Sequence, residues 1–147
     1  MNAMSHAIYV LNGPNLNRLG TREPELYGRT TLAEIEAACR TEAAATPVEF
    51  RQTNSEAELI GWVHEAIDAE ASAIVINPAA LSFTSLALLD ALKMFGGPII
   101  EVHITNIHRR DELYRHSLVS KAATAVIAGL GAAGYRVAIV ALRHLAR

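Results

Sequence analysis

Five short runs rich in branched apolar residues recur along the chain: AIYVLN (7–12), PVEFRQ (47–52), AIVINP (73–78), PIIEVH (98–103) and TAVIAG (124–129). Runs of this kind are expected of strands covered on both faces. Between them lie helical patterns, each long enough to cross from one strand to the next. TTLAEIEAACRTEAAA (30–45) sets Leu32, Ile35, Cys39 and Ala43 along one stripe, with Thr30 or Thr31 as cap and Glu34 in the first turn. SEAELIGWVHEAIDAEA (55–71) aligns Leu59, Trp62, Val63, Ala66 and Ile67, and Ser55 with Glu58 reads as a capping box. TSLALLDALKMF (84–95) and GAAGYRVAIVALRHLA (131–146) complete the set.

Strands alternating with helices imply right-handed crossovers and a doubly wound, five-stranded parallel sheet, a flavodoxin-like α/β three-layer sandwich. No repeat, low-complexity tract or linker divides the 147 residues, so 1–147 reads as one domain. Charged residues make up 19% of the chain, with a net charge of -2 and both signs intermixed, which leaves no footprint for nucleic acid or an anionic membrane. No apolar run approaches the roughly 18–20 residues of a membrane span. MNAMSHAIYVLN lacks the apolar core of a signal peptide, so a cytoplasmic protein is expected. Cys39, the single cysteine, sits within a helical stripe and reads as a buried structural thiol, which excludes a disulfide framework and a cysteine zinc site.

In an open parallel sheet, ligands bind outside the carboxyl ends of the strands. Three polar stretches meet there: LNGPNLNRLGTREPELYG (11–28), INPAALSFTS (76–85) and EVHITNIHRRDELYRHS (101–117). GLGAAG (129–134) matches a dinucleotide fingerprint, but it follows the last strand, and the 13 residues after it hold no Asp or Glu for a ribose hydroxyl. It reads instead as a tight turn with close helix-to-sheet packing, and no nicotinamide or flavin cofactor is expected.

Glu101, His103 and Thr105 share one face of the fourth strand, where a carboxylate can accept a hydrogen bond from the imidazole. Such a pair suits a general acid, or a buried pair that merely stabilises the strand end. His108 and His116 fit no common ligand spacing with His103, and Arg109 and Arg110 would repel a cation, so no metal is expected. On the first loop, Tyr27 lies near Arg18 and Arg22. A tyrosine, ordinarily with a pKa of about 10, acts as a base near neutrality only where cations favour its phenolate. The alternative is a packed tyrosine ring with solvated arginines.

Together, LNGPNLNRLGTREPELYG, FRQTNSEAELIGWVHEA (50–66), INPAALSFTS, EVHITNIHRR (101–110) and GLGAAGY (129–135) resemble the successive signature blocks of type II 3-dehydroquinate dehydratase, in family order and spacing. The resemblance implies a flavodoxin-like fold, a dodecamer of trimers, no metal or cofactor, and conversion of the small carboxylate 3-dehydroquinate to 3-dehydroshikimate and water. By position it implies Tyr27 as the base that leaves an enolate, Arg22 as the lid arginine beside it, and Asn15 as a holder of the water facing the enolate oxygen. His103 matches the acid that protonates the departing hydroxyl, oriented by Glu101. Asn77 and the backbone at Ile104 and Thr105 match the cradle for the substrate carboxylate. Asp90 matches an acidic residue presented to a neighbouring subunit's site. It sits on the third crossover helix among Leu86, Leu88, Leu89 and Leu92, more apolar surface than one buried face requires.

Thr105 stands for the usual Ser and keeps the hydroxyl, while two positions at one end of the pocket depart from the family pattern more sharply. Phe83 stands where the family typically has His, and Tyr114 where it has Arg, both groups used on the far hydroxyls of the substrate. Arg115 is one position on, a turn of about 100° on a helix, and does not automatically stand in; Arg109 is the other cation that could compensate. Three readings remain open at this stage: the dehydratase itself, a diverged lyase acting on a related β-hydroxy ketone that lacks a far hydroxyl, and a non-catalytic assembly of the same fold.

Overall fold

Ile8–Asn12 (β1), Val48–Gln52 (β2), Ala73–Asn77 (β3), Ile99–His103 (β4) and Ala125–Ala128 (β5) form one all-parallel sheet. The strand order is β2-β1-β3-β4-β5. The coordinates are a computed structural model that describes residues 4–145. This order is the flavodoxin-like one, with its switch point between β1 and β3. Pairing aligns Asn12 with Gln52 on one side and Asn77 on the other, so the polar strand ends meet at a single edge.

The helices of the described residues are Pro24–Tyr27 (α1), Leu32–Ala43 (α2), Glu56–Asp68 (α3), Leu86–Lys93 (α4) and Ala133–Leu145 (α5). Strand side chains alternate between two cores. Ile8, Val10, Val75, Ile100 and Val102 pack with Ile35 and Cys39 of α2 and with Tyr135 and Ile139 of α5. Tyr9, Leu11, Ile74, Ile76 and Ile99 pack with Leu59 and Val63 of α3 and with Leu88 and Leu92 of α4. β1, β3 and β4 are buried throughout, whereas the edge strands β2 and β5 are partly exposed. The expectation of two covered faces therefore holds only for the inner strands. Cys39 is fully buried, and burial pushes its thiol up to about 12.

The helix caps follow the sequence with one correction. Thr31 and Glu34 make a complete capping box on α2. On α3 the Ser55 hydroxyl accepts from the Glu58 N–H, but the Glu58 carboxylate turns away to accept from the Thr53 hydroxyl, so the box is half formed. A second correction concerns α4. Leu88, Leu89 and Leu92 are buried within the chain, and of the four leucines only Leu86 remains exposed, at 63%. One inward stripe on a two-turn helix absorbs the other three.

GLGAAG is a turn that packs, as its position suggested. Gly129 and Gly131 have φ of +90° and +63°, a region that favours glycine. Gly134 is buried, and a Cβ there would meet Ile127 and Val102 at 3.4 Å. The N–H groups of Gly129 and Gly131 donate to the carbonyls of His103 and Ile104, which fixes the end of β4 from below.

Candidate active site

The first loop is brought against the third by a close backbone approach. Gly13 donates its N–H to the Asn77 carbonyl at 2.9 Å, and a Cβ at this position would lie 2.5 Å from the Pro78 carbonyl oxygen. Any larger residue would force the two loops apart. Beyond it the chain turns through Asn15, whose φ of +72° is held by an N–H donated to Asn54 Oδ1 at 2.8 Å. Glu23 and Ala79, with φ of +39° and +53°, are the other non-glycine residues of these two loops in the left-handed region. Non-glycine residues bear this conformation at a cost, and here they gather around one cleft.

The cleft encloses about 560 Å³, counting its open mouth. Asn15, Arg22 and Tyr27 line it from the first loop, Asn77 and Phe83 from the third, and His103, Ile104, Thr105 and Tyr114 from the fourth. All nine were expected at the site. Glu101 stands behind His103, and Asp90 is exposed on α4 outside this cleft.

β4 supplies the pair at the back. Alternation places Glu101 and His103 on the same face, and His103 Nε2–H donates to Glu101 Oε2. Glu101 is fully buried and also accepts from the hydroxyls of Ser117 at 2.7 Å and Ser120 at 2.6 Å. Burial pushes its carboxyl up, but the hydrogen bonds from His103, Ser120 and Ser117 outweigh burial and hold it below the usual range. The result is a carboxylate that accepts from three donors and orients the ring. Nδ1 is then the imidazole nitrogen left to meet a bound molecule.

At the mouth, the Arg22 guanidinium carbon lies 4.5 Å from the centroid of the Tyr27 ring. Arg110 lies 5.9 Å from the same centroid and 4.3 Å from that of Tyr114. Two cations therefore lie against one phenol ring. Arg110 lines the cleft, a place its position beside Arg109 in the sequence does not reveal. Arg109 and Arg115 are not lining residues; Arg115 instead donates its Nε–H to the Arg110 carbonyl at 2.5 Å. Phe83 and Tyr114, the two departures, touch each other edge to face at 5.7 Å, and Phe83 lies nearly parallel to the His103 ring at 6.4 Å.

A buried polar chain under the floor was also missed. Tyr135, on α5, is fully buried; its hydroxyl donates to Asn12 Oδ1 at 2.7 Å and accepts from Asn77 Nδ2 at 2.9 Å. Burial pushes this phenol well up, so it stays a neutral donor. Asn77 Oδ1 accepts from the Ala79 N–H at 3.1 Å, so the Asn77 amide has one N–H left for the cleft. The signal was a tyrosine in line with Ala138, Ile139 and Leu142 on a buried stripe, where its hydroxyl must find partners. Tyr135→Phe is expected to lose about 1–3 kcal/mol of stability, because Asn12 and Asn77 keep buried groups without a partner. Urea denaturation measures this, and an unchanged midpoint would show the chain to be dispensable.

Among the described residues, no group of three His, Cys, Asp or Glu side chains could hold a metal ion, and no helix is long and apolar enough to cross a membrane. His116 pairs with Glu112 on the surface, and His108 is exposed.

With this geometry in place, likeness to known proteins decides the lineage. Residues 6–143 match the Dehydroquinase class II family. The chain belongs to that family. The 3-dehydroquinate dehydratase 2 of Agrobacterium fabrum is 56% identical over 138 residues, covering 92% of this chain and 91% of that protein. The 3-dehydroquinate dehydratase of Caulobacter vibrioides is 53% identical over 146 residues, covering 98% and 99%. The crystal structure of type II dehydroquinase from Propionibacterium acnes superposes with a TM-score of 0.91 at 47% identity, covering 97% of this chain and 99% of that one. The α/β fold read from the strand and helix pattern is thus the fold of this family.

Proposed function

We propose that the chain, working as one domain over its whole length, is a hydro-lyase that eliminates water from 3-dehydroquinate to give 3-dehydroshikimate. The observation that carries this reading is the meeting in one cleft of a cation-flanked phenol, Tyr27, and a carboxylate-oriented imidazole, His103. The Tyr27 phenolate removes the proton from the carbon beside the ketone, and the electron pair moves into an enolate. Arg22 stabilises the charge that moves through the base, and Asn15 holds a water against the enolate oxygen. The enolate collapses to a carbon–carbon double bond as the β-hydroxyl leaves. His103, protonated on both nitrogens, keeps Nε2–H on Glu101 and gives its Nδ1 proton to that hydroxyl, which departs as water. Asn77 and the backbone of Ile104 and Thr105 hold the carboxylate. No cofactor enters this scheme.

The names and near-complete coverage of the relatives support 3-dehydroquinate itself over a related β-hydroxy ketone, and a complete acid and base speak against a silent assembly. Proton NMR of the reaction tests the proposal: a vinyl signal beside the carbonyl is expected, and an unaltered substrate spectrum would refute it.

The same reading makes the working particle a dodecamer built of trimers in the cytoplasm, with Asp90 offered to a neighbour's site. Exposed Leu86 and Met94, 63% and 59% accessible at the two ends of α4, support a contact on that helix. Sedimentation at micromolar concentration should show an assembly; a monomer would overturn this part.

A further inference from the structure

Two arginines line the cleft, Arg22 and Arg110, and they differ in that Arg110 has no acidic partner among the described residues. Arg22 has Glu23 at 3.6 Å, whereas no carboxylate of the described residues pairs with Arg110. It is half-buried, lines the cleft and rests on aromatic rings. A guanidinium over a ring face keeps its planar fork of N–H donors free for another acceptor. Its backbone is tied down on both sides, with the N–H given to the Ile107 carbonyl at 3.3 Å and the carbonyl taken by Arg115.

The rings around it form a continuous wall. His103 neighbours Phe83, Phe83 meets the edge of Tyr114, Tyr114 lies under Arg110, and Arg110 reaches the Tyr27 ring. The wall runs from the acid to the base, and apart from the Tyr114 hydroxyl it would be apolar without Arg110. A ring bearing hydroxyls needs donors on that side, since buried oxygens left without partners weaken binding.

We propose that Arg110 binds the oxygen atoms on the side of the substrate facing this wall, and that Tyr114, steadied by Phe83, is the positioning residue that sets its guanidinium. On this account the two departures form one device, since Phe83 supports Tyr114 and Tyr114 supports Arg110. The proposal rests on the dehydratase reading for the identity of the substrate.

The test is calorimetric titration of 3-dehydroquinate into the Tyr27→Phe protein, which keeps the ring beneath Arg110 while blocking turnover, alongside steady-state kinetics on the unmodified chain. Arg110→Met should weaken binding at least about tenfold, and Arg110→Lys, which keeps the charge but not the fork, should weaken it as well. Tyr114→Leu should cost about the same as Arg110→Met, and Tyr114→Phe less than about threefold, since the ring remains. Adding Tyr114→Leu to Arg110→Met should cost little more, because Tyr114 acts through Arg110. In the kinetics, KM should rise and kcat should stay within about threefold. Binding within threefold of the parent for Arg110→Met, or losses that multiply in the double variant, would overturn the proposal. So would a fall in kcat with KM unchanged, which would make Arg110 a partner of the base alone. Failure of the unmodified chain to turn over 3-dehydroquinate would instead overturn the dehydratase reading, and the titrations would still decide whether Arg110 binds it.

Discussion

Tyr27→Phe is expected to lower kcat by about a thousandfold or more, since a positioned base typically contributes 10²–10⁴. The substitution removes one oxygen and nothing else. The ring stays beneath the Arg22 guanidinium, 4.5 Å from its centroid, so the packing at the mouth survives. Circular dichroism and the melting temperature should therefore match the parent. Arg22→Ala should lower kcat far more than it raises KM, because its charge matters most as the proton moves. Retention of a tenth or more of the activity by Tyr27→Phe would remove Tyr27 from the base position.

The second large effect lies behind the imidazole. Glu101→Ala is expected to destabilise the protein by about 3–5 kcal/mol, the usual cost of removing one partner of a buried charged pair. It leaves the donors of His103, Ser117 and Ser120 facing no acceptor. For a chain of this length the melting temperature should fall by roughly 10 °C, and activity should fall with it as the ring loses its orientation. The same site gives stability a pH dependence of definite sign. The folded carboxyl is held low, so it contributes stability above its unfolded value of about 4.3. That contribution is lost as the pH falls through the folded value. Glu101→Gln has no such titration. Its urea midpoint should change less than the parent's between pH 7 and pH 3, and parallel curves would contradict the assignment.

Much of the fold was legible because the inner strands are buried on both faces. Such strands must be apolar throughout, and their boundaries fall within about one residue of those expected. The edge strands carried the same pattern with less burial behind it. The irregular parts were not legible in this way. α1 and the short 3-10 turns arise from loop closure and local hydrogen bonds, which leave no periodicity to read. Exchange of a reciprocal cap for a bond to Thr53 is a tertiary choice at one side chain.

The site divides along the same line. Groups on or just beyond a regular strand, such as Glu101, His103 and Thr105, could be placed by alternation alone. Resemblance placed Tyr27 and Arg22 on the first loop. Which of Arg109, Arg110 and Arg115 faces the cleft depends on short turns at Ile107–Arg109 and Glu112–Tyr114, where a helical offset of 100° does not apply. The sequence could therefore show that two expected side chains were missing, but not that a third cation stood against one of their replacements. Ser117 and Ser120 were hidden for a related reason, since two hydroxyls in a polar loop look the same whether they face water or a buried carboxylate.

The central claim is that this cleft carries a base and an acid arranged to expel water from a β-hydroxy ketone. It is met most directly by following ultraviolet absorbance after 3-dehydroquinate is added to the purified, unmodified chain. The account predicts a steady rise from the conjugated enone at a rate proportional to protein concentration. A flat trace from folded, assembled protein would contradict it.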